Sequence, residues 1–213
     1  MKKLPRKFYN RSTIDVAIEL LGCSLISYTN GIKTGGMIVE TEAYIGEDDP
    51  ACHAFRGLTP RNEVMYGPPG YLYVYFTYGN HFMMNVVTQK NGYPSAVLLR
   101  GVEPKFNTEV MAERRGIDDL YNISSGPGKL TKALNVTKDQ NGIDLKGSEI
   151  YLLDPSKGQY DIYASPRIGI GEYGTDRLWR FFIKDNSHVS RGTKSIREKS
   201  FPLAKAMKKN FRI

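Results

Sequence analysis

The sequence predicts a mixed α+β fold: one compact domain with a largely antiparallel sheet and a protruding β-hairpin. Three observations predict it. Segments rich in Val, Ile, Tyr and Phe recur along the chain, with hairpin-type Gly/Asn turns rather than the regular crossover helices of a parallel sheet. Helical periodicity is confined to a few short stretches between them. The 213 residues, 40% hydrophobic and 24% charged, hold a sizeable core and show no evident linker, so residues 1–213 read as one domain.

The stretch "STIDVAIELLG" reads as the first helix. Ser12 or Thr13 caps it, Asp15 sits in the first turn, Ile14, Ala17, Ile18 and Leu21 recur at helical spacing, and Gly22 closes it. "CSLISYT" and "GGMIVETEAYIG" follow as strands separated by "NGIKTGG". Residues 46–70 show neither period two nor period 3.6 and form a long loop; a connection of that length inside one domain points to a functional site. "YLYVYFTYGNHFMMNVVTQ" is the hairpin, two strands around Gly79-Asn80, a pair suited to a two-residue turn. "SAVLLRGVEP" adds a strand; "NTEVMAERRG" and "SSGPGKLTKALNV" are helices, the second opening at Gly-Pro-Gly. "SEIYLLD", "ASPRIGIG" and "WRFFIK" complete the sheet.

Charge is distributed unevenly. Residues 1–11 carry Lys2, Lys3, Arg6, Lys7 and Arg11 with no acid, and residues 189–213 carry eight Lys or Arg against Glu198 alone. With +5 and +7 at the ends of a chain of net charge +8, the middle carries −4. Basic ends suit a polyanionic partner, because phosphates attract them and release counterions on contact; the other reading is a solvated tail. Residues 189–213 are thus either an extension that grips a partner or a tail. Only two cysteines occur, Cys23 and Cys52, without a CxxC pair, and no uninterrupted apolar run is long enough for a membrane span or signal peptide. These features predict an intracellular protein with no membrane partner.

The acid is concentrated in "VETEAYIGEDDPACHAFRG", which places Glu40, Glu42, Glu47, Asp48 and Asp49 within ten residues. Alternation puts Ile38, Glu40, Glu42 and Tyr44 on one strand face. Carboxylates at i and i+2 lie roughly 7 Å apart and repel unless solvated, paired or protonated. A solvent-facing strand surface satisfies that condition. So do three functional arrangements: a metal site with Asp48, Asp49 and His53, which has no recognised ligand spacing; an acid and base pair for a sugar glycosidase; or one carboxylate activating water beside a flat aromatic substrate. Tyr71, Tyr73, Tyr75 and Thr77 share a hairpin face, and Tyr78, near the tip, is placed to insert between bases. Arg100 ends the apolar run "SAVLL" and needs an anionic partner, a carboxylate such as Glu42 or a phosphate.

Together, "VETEAYIGEDDPACHAFRGLTPRNEVMYGPPGYLYVYFTYGNHFMMNVV", "VLLRGVEP", "SGPGKLTKALNV" and "RIGIG" resemble the alkyladenine (3-methyladenine) DNA glycosylases of the mammalian type, over most of residues 5–185. The resemblance implies a mixed α/β monomer that flips an alkylated or deaminated purine out of duplex DNA and hydrolyses its N-glycosidic bond, leaving an abasic site. It implies no cofactor, no metal and no abasic-site lyase activity. Glu42 would be the general base for the attacking water, with Arg100 and the backbone carbonyl of Ile168 positioning it. Tyr44, His53 and Tyr75 would be the walls that sandwich the base, and Asn85 would lie against it and disfavour guanine. Tyr78 would fill the gap in the DNA stack. The partner would be double-stranded DNA holding a damaged purine, in the cytoplasm of a bacterium, at its nucleoid, or in a eukaryotic nucleus. The basic stretch after about Val189 has no counterpart in the resemblance, and Glu40 and "EDD" keep a structural and a solvated role.

Overall fold

Strand β2 (Ile32–Ile45), 14 residues long, is the spine on which the other elements are hung. It is buried from Thr34 to Ala43 apart from Met37, because elements cover both of its faces, and so its sequence does not alternate as a half-exposed strand does. The computed structural model describes residues 1–77, 80–155 and 158–208.

Strand β1 (Ser24–Thr29) folds back antiparallel on β2 through Asn30-Gly31 alone, with φ of 52° and 76°. Positive φ at both central residues is the type I′ geometry that Asn-Gly accommodates. The separator "NGIKTGG" is therefore mostly strand: Gly35 and Gly36 lie in the ladder, where a Cβ on Gly36 would come within 2.0 Å of the Glu103 oxygen. That close approach belongs to strand β5 (Ser95–Phe106), which pairs along the length of β2. The register slips between Ile38 and Glu40 and again between Glu40 and Thr41, leaving Val39 on β2 and Arg100 on β5 without an opposite residue. Two bulges thus flank Glu40 and re-aim side chains there.

Beyond β5 lie strands β4 (His81–Val87) and β3 (Leu72–Thr77), the hairpin at the edge of the sheet. Its register sets Thr77 opposite His81; the turn expected at Gly79-Asn80 falls partly on residues outside those described. On the other side of β2 come β8 (Arg180–Ile183), β7 (Ile162–Ser165) and β9 (Phe201–Pro202), while β1 also pairs with β6 (Ile150–Leu153). Every described pairing is antiparallel, so the mixed fold with a largely antiparallel sheet holds.

Six short helices accompany the sheet among the described residues: α1 (Arg6–Tyr9), α2 (Thr13–Glu19), α3 (Thr108–Arg115), α4 (Pro127–Ala133), α5 (Lys194–Glu198) and α6 (Leu203–Lys208). Helix α2 stops at Glu19, earlier than the Gly22 expected, and packs on β2 with the Thr41 hydroxyl donating to the Ala17 oxygen at 2.8 Å. "ASPRIGIG" is strand only at Ala164 and Ser165: β7 ends there, Pro166 brings no N–H to a ladder, and Gly169 and Gly171 turn the chain at φ of 82° and 62°. None of the described helices is long and apolar enough to cross a membrane.

The main core gathers Leu25, Ile38, Val39, Leu99, Leu130 and Phe181 with the residues around them. A smaller cluster of Cys52, Ala54, Met65, Tyr73, Val87 and Ala96 lies beneath the 46–70 loop. That loop is held by its own bonds: Asn62 Nδ2 donates to the oxygens of His53 and Gly57, and its Oδ1 accepts from the Thr59 N–H. Past residue 187 the chain returns across β2 and β8, adds β9 to β7, and buries Ala206.

Candidate active site

The strand face expected to be open to solvent is closed. Glu40 and Glu42 are fully buried, and arginines supply the pairing that solvation would have given. Arg100, displaced by its bulge, donates Nε to Glu40 Oε1 at 2.9 Å and Nη1 to Glu42 Oε2 at 3.1 Å. Arg180 adds a second cation on Glu40 Oε1 at 2.6 Å, through Nε. Burial pushes the Glu40 carboxyl up, but Arg100, Arg180 and the Ser190 amide outweigh it and hold the group below the usual carboxylate range. Glu40 is thereby committed to the fold, so the sugar-hydrolase reading loses its second carboxylate.

Glu42 is held differently. Its Oε2 accepts from Arg100 and from the Tyr44 hydroxyl at 2.9 Å, and its Oε1 accepts from the Ile168 backbone N–H at 2.7 Å. The turn after Pro166 aims the Ile168 N–H at the carboxylate, so this residue reaches Glu42 through its amide. A carboxylate accepts about four hydrogen bonds, so Oε1 keeps capacity for one more donor. Burial and the neighbouring Glu42 charge raise the Tyr44 phenol well above its ordinary range, which keeps it a donor.

Tyr44 leads from the carboxylate into a cavity of about 390 Å³. The four residues expected to hold a base, Tyr44, His53, Tyr75 and Asn85, all line it. They come from three places: β2, the 46–70 loop and the β3–β4 hairpin. His53 and Tyr75 meet edge to face with centroids 4.4 Å apart, and His53 Nδ1 lies 3.0 Å from the Tyr73 hydroxyl. Asn85 is fixed by donating Nδ2 to the Tyr73 oxygen at 3.1 Å. Burial and Glu42 push the Tyr75 phenol up to about 12, so both tyrosine walls are neutral, electron-rich rings. Tyr78, the expected wedge, lies outside the described residues.

His53 keeps part of its surface exposed, yet burial beside the Tyr73 and Tyr75 rings, with the nearby Arg61 cation, lowers it from 6.5 to about 4. Its neutral form therefore prevails at physiological pH. We expect the His53 ring resonances to titrate well below pH 6, with no His53 limb in lesion binding between pH 6 and 8; a midpoint near 6.5 in an NMR titration would contradict the geometry. The unfolded chain takes up this proton near 6.5 and the folded chain near 4, so this residue's contribution to stability falls as the pH drops from 6.5 towards 4.

Sequence reading missed the support behind Tyr44. Asp49, assigned to a solvated "EDD" loop, is fully buried and pairs with Arg167 at 2.5 and 2.7 Å, a partner 118 residues away. Arg167 also donates to the Ala43 oxygen at 2.9 Å, and its guanidinium lies 4.6 Å from the Tyr44 ring centroid and 5.2 Å from that of Trp179. Burial lowers this arginine while Asp49 outweighs it, leaving Arg167 above its ordinary value. Arg61, Met65, Thr77 and Tyr173 also line the cavity unforeseen. With Asp49 so committed, the metal reading has no ligand set; among the described residues no three His, Cys, Asp or Glu side chains converge as a metal site would require.

The arrangement is one buried carboxylate with spare acceptor capacity at the wall of an aromatic cavity, next to a sheet-edge hairpin. The sequence model of the family described as methylpurine-DNA glycosylase (MPG) matches residues 7–187. A protein of Alkaliphilus oremlandii, provisionally named a 3-methyladenine DNA glycosylase, is 46% identical over 200 residues, covering 89% of this chain and 99% of that relative. Proteins with the same provisional name from Chlorobaculum tepidum and Methanocella arvoryzae are 47% and 45% identical, each across 90% of this chain and 92% and 97% of their own lengths.

Proposed function

The chain belongs to the methylpurine-DNA glycosylase family, and on that premise we propose that Glu42 is the general base with which it hydrolyses the bond between a damaged purine and its deoxyribose. The protein is a monofunctional base-excision glycosylase that removes alkylated purines from DNA. The observation that carries the assignment of Glu42 is its setting: a buried carboxylate with three donors and spare capacity on Oε1, joined by Tyr44 to a cavity walled by aromatic rings.

In this reading a purine is flipped from the duplex into the cavity, between Tyr44 on one side and His53 and Tyr75 on the other. An alkylated purine that carries positive charge is attracted by the electron-rich faces of the tyrosines. As the base departs, the sugar acquires oxocarbenium character, which a nearby carboxylate stabilises. Water held on Glu42 Oε1 adds to C1′ and gives its proton to the carboxylate, leaving an abasic sugar and a free base. Arg100 and the Ile168 amide hold the carboxylate still, and neither takes the remaining acceptor capacity of Oε1, so Glu42 remains available to the reaction. No lysine is among the cavity-lining residues described, which supports hydrolysis over a Schiff-base route. Asn85, pinned at the cavity wall, would exclude the exocyclic amino group of guanine, and Tyr78 would occupy the space the base vacates.

A duplex with one alkylated purine or hypoxanthine tests this reading. We expect free base to be released and the strand to break at the lesion only after hot alkali. Binding of the duplex with no release from any lesion would leave a noncatalytic nucleic-acid binder instead.

A further inference from the structure

Ser190 lies beyond residue 187, where the family match ends, yet all of its polar groups are spent on the buried charges behind Glu42. Its N–H donates to Glu40 Oε2 at 2.7 Å, its hydroxyl donates to Glu40 Oε1 at 2.7 Å, and its carbonyl accepts from Arg180 Nη2 at 3.0 Å. The same hydroxyl oxygen accepts from Arg100 Nη2 at 3.3 Å. Arg100 is thus held at three nitrogens by three residues: Nε by Glu40, Nη1 by Glu42 and Nη2 by Ser190.

We propose that Ser190 is a positioning residue, which fixes the plane of the Arg100 guanidinium and through it the orientation of Glu42; this rests on the reading of Glu42 and Arg100 given above. A guanidinium is a rigid planar fork, so anchoring Nε and Nη2 determines where Nη1 points. Without the Ser190 hydroxyl, Nη2 has no acceptor among the described residues, and the fork can rock about its Nε anchor, carrying with it the 3.1 Å contact to Glu42.

Two further features place this segment against the site through the path of the backbone. Gly101 lies beside Glu40, and a Cβ there would come within 2.8 Å of the His188 oxygen, so the bare backbone at residue 101 is what admits residues 188–190. A Cβ built on Gly192 would meet the Ile168 Cδ1 at 3.6 Å, so the same segment runs alongside the residue whose amide holds Glu42 Oε1. Residues 190–192 therefore abut both supports of Glu42, one through a hydroxyl and one by contact. Glu40 itself keeps Arg100, Arg180 and the Ser190 amide when the hydroxyl is removed, so the fold survives its loss.

Ser190→Ala, Ser190→Thr and Glu42→Gln are compared in single-turnover release from a duplex holding one alkylated purine, with duplex Kd and melting temperature measured in parallel. Displacement of a reacting group by a fraction of an ångström costs rate and not affinity, so Ser190→Ala should slow release about 10- to 100-fold with Kd within about twofold of wild type. Ser190→Thr, which keeps the hydroxyl, should restore most of that rate. Release by Ser190→Ala at the wild-type rate, or equal losses in Ala and Thr variants that follow a fall in melting temperature, would overturn the proposal. If Glu42→Gln is inactive while Ser190→Ala is unimpaired, the positioning role alone fails; if Glu42→Gln releases base normally, the assignment of Glu42 fails and takes this one with it.

Discussion

Asp49→Ala unfolds at a markedly lower urea concentration than the wild type, with a loss of about 3–5 kcal/mol, the range for removing one partner of a buried ion pair. Asp49 and Arg167 are both without solvent exposure, and the variant leaves a buried guanidinium with the Ala43 oxygen as its one remaining acceptor among the described residues. The Arg167 Nε already has no hydrogen-bond partner among the described residues, so the two lost bonds add to an existing deficit. The loss reaches the site as well. Asp49 Oδ2 accepts from the Ile45 N–H at 3.3 Å and Oδ1 from the Ala51 N–H at 3.2 Å, so the same carboxylate ties the 46–70 loop to the end of β2 and holds the cation stacked on Tyr44. Chemical denaturation is the check; a midpoint that moves by less than the equivalent of about 0.5 kcal/mol, the ordinary scale of a surface substitution, would show that the pair does not bear on the fold.

Glu42→Gln removes the proton acceptor, and base release should fall by about 10²–10⁴-fold, the usual contribution of a general base. The substitution is nearly isosteric, but the site is not neutral towards it. All three neighbours of Glu42 are donors, Arg100 and Tyr44 on one oxygen and Ile168 on the other. A glutamine amide therefore sets a donor against a donor whichever way it is turned, at a cost of about 1–3 kcal/mol for an unmet buried group. Arg100 keeps its bond to Glu40, a carboxylate that Arg180 shares, so the buried cluster gains one net positive charge while the residues of the cavity walls are untouched. Lesion binding, which rests on those walls, should persist.

The parts of this fold that depend on neighbours along the chain are legible in the sequence. Asn30-Gly31 and the Tyr- and Val-rich hairpin announce themselves through turn chemistry and alternation, and the unpatterned stretch 46–70 marks the wall of the cavity. Arg100, a cation at the end of an apolar run, has to find an anion, and it finds two. The parts that depend on distant pairing are hidden. Two register slips decide which way Glu40 and Arg100 face, and a bulge leaves no compositional trace in a strand of ordinary residues. Asp49 reads as one more acid in an acidic loop because its arginine is 118 residues away. Ser190 sits in a basic stretch that composition alone describes as an extension or a tail, and only the path of the chain across β2 brings its hydroxyl to Glu40.

The central claim is that one carboxylate, Glu42, activates the water that displaces a damaged purine. The most direct measurement is release of free base in a single turnover by wild type and Glu42→Gln on the same alkylated duplex, with binding to that duplex measured for both. Loss of release by at least about 10²-fold, with binding retained, is the predicted result. Release within a few-fold of wild type would contradict it and move the base to another residue.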